Sequence, residues 1–192
     1  MIREQIRPTL FSFIILTVLT GIIYPLCVTG IAQTFFKHQA NGSLIFREGK
    51  AVGSSLIGQP FDDPKYLWGR PSATTPVFNA SSSSGSNYGP MNADYIKAVE
   101  TRVKTLKEAD PQNTAPIPVD LVTSSASGLD PHISLAGAYY QIPRIAHARG
   151  TSEIKIKNII RKNTESRLLG IIGEPVVNVL KVNLDLDHLT QK

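Results

Sequence analysis

The run best equipped for chemistry is Thr123-Ser-Ser-Ala-Ser-Gly-Leu-Asp-Pro-His-Ile-Ser134. Its small residues let backbone amides face outward. Asp130-Pro131 has the grammar of a helix start, with Asp at the N-cap and Pro at the first helical position. Amides at a helix N-terminus, aided by the helix dipole, can hold an anion or a phosphate. The same residues also make a tight strand-to-helix connection, capped by Asp130 with His132 bonded locally. That structural reading is the simpler one.

Other chemistry is hard to find. Ser152-Glu-Ile-Lys155 matches the S-x-x-K of penicillin-binding enzymes, but the K-T-G companion is missing and Ser152 is better used as a helix cap. There is no G-x-x-x-x-G-K-[ST], hence no P-loop, and no G-x-S-x-G nucleophile elbow. His38, His132, His147 and His188 are scattered without metal-ligand spacing, so no metal site is expected. The single cysteine, Cys27, lies in an apolar segment and allows neither an internal disulfide nor a cysteine-based zinc cluster. The chain holds no self-contained catalytic site.

The elements that must position these residues begin with an anchor. No charged side chain occurs from Pro8 to Phe36, and the 28 residues from Thr9 to Phe36 would span about 42 Å as a helix. A bilayer core is roughly 30 Å thick, so the segment can cross it with tilt. It is too long for a signal-peptide core, which is about 7–15 residues. Thr17, Thr20, Gly21 and Tyr24 fall at three- and four-residue spacing and form one stripe of small and polar groups suited to helix packing in lipid. Pro25 is expected to kink the helix just beyond. Flanking charges are nearly balanced, so the positive-inside rule does not orient it.

The organisation expected is a tail at 1–8, a transmembrane anchor at 9–36 and one soluble domain at 37–192. The fold class is α+β: a single N-terminal transmembrane helix followed by one mixed α+β soluble domain. Ser43–Phe46 and Lys50–Val52 read as two strands joined by a glycine turn. Gln59 to Asn92 is rich in Pro, Gly, Ser and Asn and reads as an ordered, draped loop pinned by Trp68 and Phe78. Asn92 caps a helix from Ala93 to about Ala109, with Ile96, Val99, Val103 and Leu106 on one face. Val119 to Thr123 reads as a buried strand, and a helix runs from Asp130 to about Gln141, interrupted at Pro143. A further helix, capped by Thr151 or Ser152, ends near Asn163, with Ile156, Ile159 and Ile160 inward. Leu180, Val182, Leu184 and Leu186 alternate with polar residues, which argues for a strand with one solvated face.

The formal net charge is +5. It suits anionic lipid or an acidic partner, whereas nucleic acid is not expected, because the cations are not interleaved with aromatics. Arg144, Arg149, Lys155, Lys157, Arg161, Lys162 and Arg167 concentrate within 24 residues and read as one basic face.

Gly53-Ser-Ser-Leu-Ile-Gly-Gln-Pro-Phe61, Trp68-Gly-Arg-Pro-Ser-Ala73, Gly85-Ser-Asn87, the run Val119–Ser134, Gln141-Ile-Pro-Arg144 and Asn178-Val-Leu180 with Asn183 appear in order. Together they resemble the C subunit of the bacterial Kdp potassium-transporting ATPase, over nearly the whole chain. The resemblance implies an accessory, non-catalytic subunit of a high-affinity, ATP-driven potassium uptake complex in the bacterial inner membrane. Its partners there are a channel-like A subunit, a P-type ATPase B subunit and membrane lipid. It implies a catalytic chaperone that raises the B subunit's ATP affinity through a transient ternary complex, with no permanently bound cofactor. Nucleotide contact would then fall on Gln141 and the Ser127-Gly128 turn. The family is also described with its domain on the extracytoplasmic side, where ATP is absent, which favours assembly as the main role and an indirect effect on ATP affinity. The alternative class is a membrane-tethered binding protein or hydrolase of the cell envelope acting independently.

Overall fold

The computed structural model describes residues 2–189 of the chain, which divides between Leu44 and Ile45 into two units. The first is dominated by one continuous helix: α1 (Ile2–Val18), a π-helical turn (Leu19–Ile23) and α2 (Tyr24–Phe35). The 32 residues from Glu4 to Phe35 include an 18-residue stretch with a mean hydropathy of 2.2, none of it buried, and the helix is long and apolar enough to cross a membrane. The π turn answers a covalent problem. Pro25 has no amide and its ring crowds the carbonyl four residues back, at Gly21. Here the Tyr24 amide reaches back to the Leu19 carbonyl, so the irregularity falls within the stripe, ahead of Pro25, rather than just beyond the stripe. The inserted residue also rotates Tyr24 off the line that regular α spacing draws through Thr17, Thr20 and Gly21. Thr17 and Thr20 turn their hydroxyls inward to the carbonyls of Phe13 and Leu16 at 2.8 and 2.7 Å. A short helix, α3 (Lys37–Ala40), follows.

The expected hairpin, β1 (Leu44–Arg47) paired with β2 (Lys50–Ser54), starts at the last residue of the first unit and otherwise belongs to the second. Glu48 and Gly49 turn it with φ of 51° and 75°, the left-handed pair that a two-residue hairpin turn requires. Residues 55–92 then run without helix or strand to α4 (Ala93–Ala109), where Asn92 accepts from the amides of Asp94 and Tyr95 as a side-chain cap. The three-stranded sheet is antiparallel, in the order β3 (His132–Ser134), β5 (Val176–Asn178), β4 (Thr164–Glu165). Helices α5 (Leu135–Tyr140), α6 (Ile142–Arg149), α7 (Glu153–Lys162) and α8 (Val179–Leu189) complete the mixed α+β domain. Its core joins Leu67 and Trp68 of the loop to Leu106, Ile133, Ile145, Ile156, Ile160, Val177 and Leu186.

Four expectations need correction. Asp130 does not cap a helix: its carboxylate accepts from the His132 amide, and the chain enters strand β3. The true cap is Ser134, which accepts from the Gly137 amide at 2.9 Å, while its own amide donates to Asp120. Val119 is 70% exposed and 119–121 is a 3₁₀ turn, since the prolines at 116 and 118 remove ladder donors. Ile96 is 44% exposed, because α4 presents Arg102 to the domain instead.

The fourth is the C-terminal segment, which is helical. Its buried residues are Val179, Leu180, Val182, Asn183 and Leu186, a helical set once the polar Asn183 counts as interior. The two geometries differ at Leu184, which a strand would bury and the helix leaves half-exposed. Leu186→Ala should therefore cost about 2–5 kcal/mol of domain stability. Leu184→Ala should cost well under half of that in denaturant unfolding of the purified chain. Equal losses would restore the strand's inward row.

Candidate functional site

Between Pro64 and Gly69 the chain crosses the domain without a strand partner, and side chains from four helices take the place of one. The Trp68 amide donates to Gln141 Oε1 at 2.8 Å, and Gln141 Nε2 donates back to the Trp68 carbonyl at 3.0 Å. Asn183 does the same for Leu67, accepting from its amide at 2.8 Å and donating to its carbonyl at 2.9 Å. Each side-chain amide thus stands in for the N–H and C=O of a neighbouring strand. Arg144 donates to the carbonyls of Pro64 and Tyr66 and to Gln141 Oε1. Arg149 Nε donates to the Lys65 carbonyl and Arg102 to that of Gly69. The Arg144 guanidinium lies 4.0 Å from the centre of the Trp68 ring. Leu67 and Trp68 are 0% and 3% exposed, so the centre of this segment is core, while Pro64 and Lys65 at its start stay at the surface.

Local sequence explains how the readers converge. Gln141 ends α5, and Pro143 stands in the first turn of α6, where its missing amide breaks no helical bond. Gln141 and Arg144, three residues apart, therefore share one side of the junction. Burial pushes the Arg144 guanidinium down to about 10, with Asp110 and Asp63 pulling the other way. It keeps its charge at neutral pH, spread over three acceptors and an aromatic face. Burial likewise lowers Arg102.

Gln141 uses its full capacity: Oε1 accepts from Trp68 and Arg144, and Nε2 donates to the carbonyls of Trp68 and Gly137. A nucleotide edge would have to displace one of these bonds. Ser127 and Gly128 grip a different part of the loop. The Ser127 carbonyl accepts from the Ser84 amide and the Ser83 hydroxyl, and the Gly128 carbonyl from Ser72 Oγ at 2.7 Å. The Gly128 amide donates to Ser125 Oγ and the Leu129 amide to Ser127 Oγ. No helix N-terminus forms there, and these amides already have acceptors. Gly128 has φ +67°, and a Cβ on it would come within 2.7 Å of both the Ser84 carbonyl oxygen and Thr74 Cγ2. Arg70 closes this edge, pairing with Asp130 at 3.3 Å and donating to the Ser124 carbonyl.

The basic face loses two members to the interior. Arg144 is 5% exposed, and Arg149, its side chain 7% exposed, donates to the Leu186 carbonyl and pairs with Asp187. Lys155, Lys157, Arg161 and Lys162 remain exposed on α7. An open cleft of about 750 Å³ lies between the 109–115 turn and α6, lined by Asp110, Asn113, Pro143, Arg144, His147 and Glu153. Beside it the buried Tyr140 hydroxyl has no hydrogen-bond partner among the described residues, and burial, then Asp110, raises its pKa. No group of three or more His, Cys, Asp or Glu able to hold a metal occurs among the described residues. The sequence singled out Trp68 and Gln141 but missed Arg102 as a reader of the loop, and its strand reading put Asn183, which is 2% exposed, on the solvated face. The available signal was a polar residue at an interior position of the helical row 179, 182, 183, 186.

Comparison with known proteins places this architecture. The family model described as "K+-transporting ATPase, c chain", KdpC, matches residues 6–188. The potassium-transporting ATPase KdpC subunit of Sorangium cellulosum is 57% identical over 184 residues, covering 95% of this chain and 97% of the relative. That of Dechloromonas aromatica is 54% identical over 190 residues, covering 98% of this chain and all of the relative. That of Herpetosiphon aurantiacus is 56% identical over 188 residues, 97% of each.

The clamp makes a direct prediction. Gln141→Ala or Asn183→Ala strips a buried N–H and C=O of their partners, and each should lower stability by about 2–6 kcal/mol at about 1–3 kcal/mol per orphaned group. Limited proteolysis should then cut at Leu67 and Trp68, which burial should protect in the native chain. Arg144→Lys should not rescue the fold, because an ammonium cannot reproduce the planar fork over Trp68.

Proposed function

The chain belongs to the family of K+-transporting ATPase c chains, KdpC, and on that premise we propose that it acts as an accessory, non-catalytic subunit of an ATP-driven potassium uptake complex. It joins a channel-like A subunit to a P-type ATPase B subunit in the membrane. The observation that carries this reading is the extent of the family match, which runs through both the apolar span and the soluble domain. The exposed helix from Glu4 to Phe35, with Thr17, Thr20 and Gly21 along one line and Tyr24 turned off it by the π turn, supplies the contact within the bilayer. A Cβ at Gly21 meets nothing within 4 Å in the chain alone, so this face is free to receive a neighbouring helix.

The soluble domain lies on the extracytoplasmic side in this proposal, and the chain raises the ATP affinity of the B subunit without touching the nucleotide. The saturated hydrogen bonding of Gln141, and of the Ser127-Gly128 turn, favours an indirect effect. These residues shape the loop from 55 to 92, and that rigid surface is what the partners meet. ATP enters only as the ligand of the complex.

Two measurements test this. The tagged chain, purified in mild detergent, should bring two larger subunits with it, and Gly21→Leu should loosen that association more than Leu16→Ala. Recovery of the chain alone would point to an independent tethered protein of the envelope. Complexes containing the chain should show a severalfold lower KM for ATP than complexes lacking it, at unchanged kcat, the pattern of added uniform binding. An unchanged KM would leave assembly as the only role.

A further inference from the structure

Between β4 and β5 the chain projects a small hairpin whose tip is wholly aliphatic. The Leu168 amide donates to the Ile172 carbonyl at 2.9 Å and the Ile172 amide to the Leu168 carbonyl at 3.0 Å. Leu169 and Gly170 turn it with φ of 54° and 76°. Leu168, Leu169, Ile171 and Ile172 are 66, 83, 80 and 62% exposed, and none of them packs against the core. The paired backbone bonds fix this exposure in place, so the tip does not fold its aliphatic groups back onto the domain. A leucine turned outward at positive φ is an uncommon arrangement for a water-facing loop.

Cations surround the tip in the chain. From Lys155 to Lys181 there are six, at 155, 157, 161, 162, 167 and 181, against Glu165 and Glu174. Arg167 pairs with Glu174 at 3.0 Å across the base of the hairpin and Lys181 with Glu165 at 3.1 Å. Lys155 and Arg161 on α7 meet no acidic side chain among the described residues. The aliphatic tip is thus flanked in sequence by cations, of which Lys162, Arg167 and Lys181 are paired with acids and Lys155, Lys157 and Arg161 are not, among the described residues. That arrangement matches the two layers of an anionic bilayer surface, acyl chains beneath phosphates. A protein-binding hot spot would be expected to hold Trp, Tyr or Arg at its centre, and the tip has none. The chain also carries a membrane span, so the domain is held near a bilayer at high effective concentration.

We propose that the 168–172 hairpin is a second membrane contact, inserting Leu169 and Ile171 into the surface of an anionic bilayer while the cations of 155–181 face the lipid phosphates. This rests on the apolar span and not on the subunit role.

The test uses the full chain with Cys27→Ser, carrying either Leu169→Cys or Ile171→Cys labelled with an environment-sensitive fluorophore. The chain is reconstituted in phosphatidylglycerol-containing vesicles with nitroxide on the acyl chains. Because these side chains are exposed, the substitutions leave the core untouched. The expected result is blue-shifted emission that loses most of its intensity to the nitroxide, with a smaller shift in purely zwitterionic vesicles. A label at Lys104→Cys on exposed α4 should stay water-like. Water-like emission at 169 and 171 would overturn the proposal. So would emission that shifts only in the assembled complex and resists the lipid nitroxide, since that would assign the tip to an apolar pocket of a partner protein.

Discussion

A buried backbone must have its hydrogen bonds made, and the rest of this domain depends on how that demand is met for Leu67 and Trp68. Two N–H and two C=O groups lie in the core with no strand beside them. Each would cost about 1–3 kcal/mol if left unpaired, which together approaches the whole stability of a typical domain, about 5–15 kcal/mol. Gln141 and Asn183 pair all four. The placement of α5, α6 and α8 follows, because each must present an amide or guanidinium at the right height along the loop. The Trp68 indole, with the Arg102 and Arg144 guanidiniums 5.4 and 4.0 Å from its ring centre, adds apolar burial to the same contact, with its Nε1 donating to the Asp63 carbonyl at 3.0 Å.

What was legible in the sequence was what local chemistry decides. Glu48-Gly49 names its own turn, Asn92 its own cap, and Ile156 and Ile160 their own buried face. The apolar span announces itself by length. The misread elements are those settled by distant partners. Leu180 to Asp187 alternates like a strand, yet Asn183 belongs inside because Leu67, 116 positions earlier, needs it there. Asp130 and Pro131 look like a helix start, but the segment is taken up by pairing of His132 with Asn178 and Ser134 with Val176. Gln141 stood out through family resemblance, while its partner Trp68 lies 73 residues away and no spacing rule reaches that far.

The clamp changes how charge and surface are read. Seven cations in one stretch suggested a single basic face, yet Arg144 and Arg149 are spent on carbonyls of the loop. The surface charge that remains belongs to α7 and the segment after it, next to the aliphatic hairpin. The loop itself, few in charges and held along its length, gives the domain a rigid irregular surface, a suitable shape for a partner to recognise at little entropic cost.

The most direct measurement is amide hydrogen exchange at Leu67 and Trp68 in the full chain. If side-chain amides hold this segment as a strand would, both amides should exchange only through global unfolding, as slowly as those of Ile145 and Ile160 in the core helices. Exchange at the rate of exposed loop amides such as Ser81 would mean that the segment opens on its own, and the clamp would not be what the domain depends on.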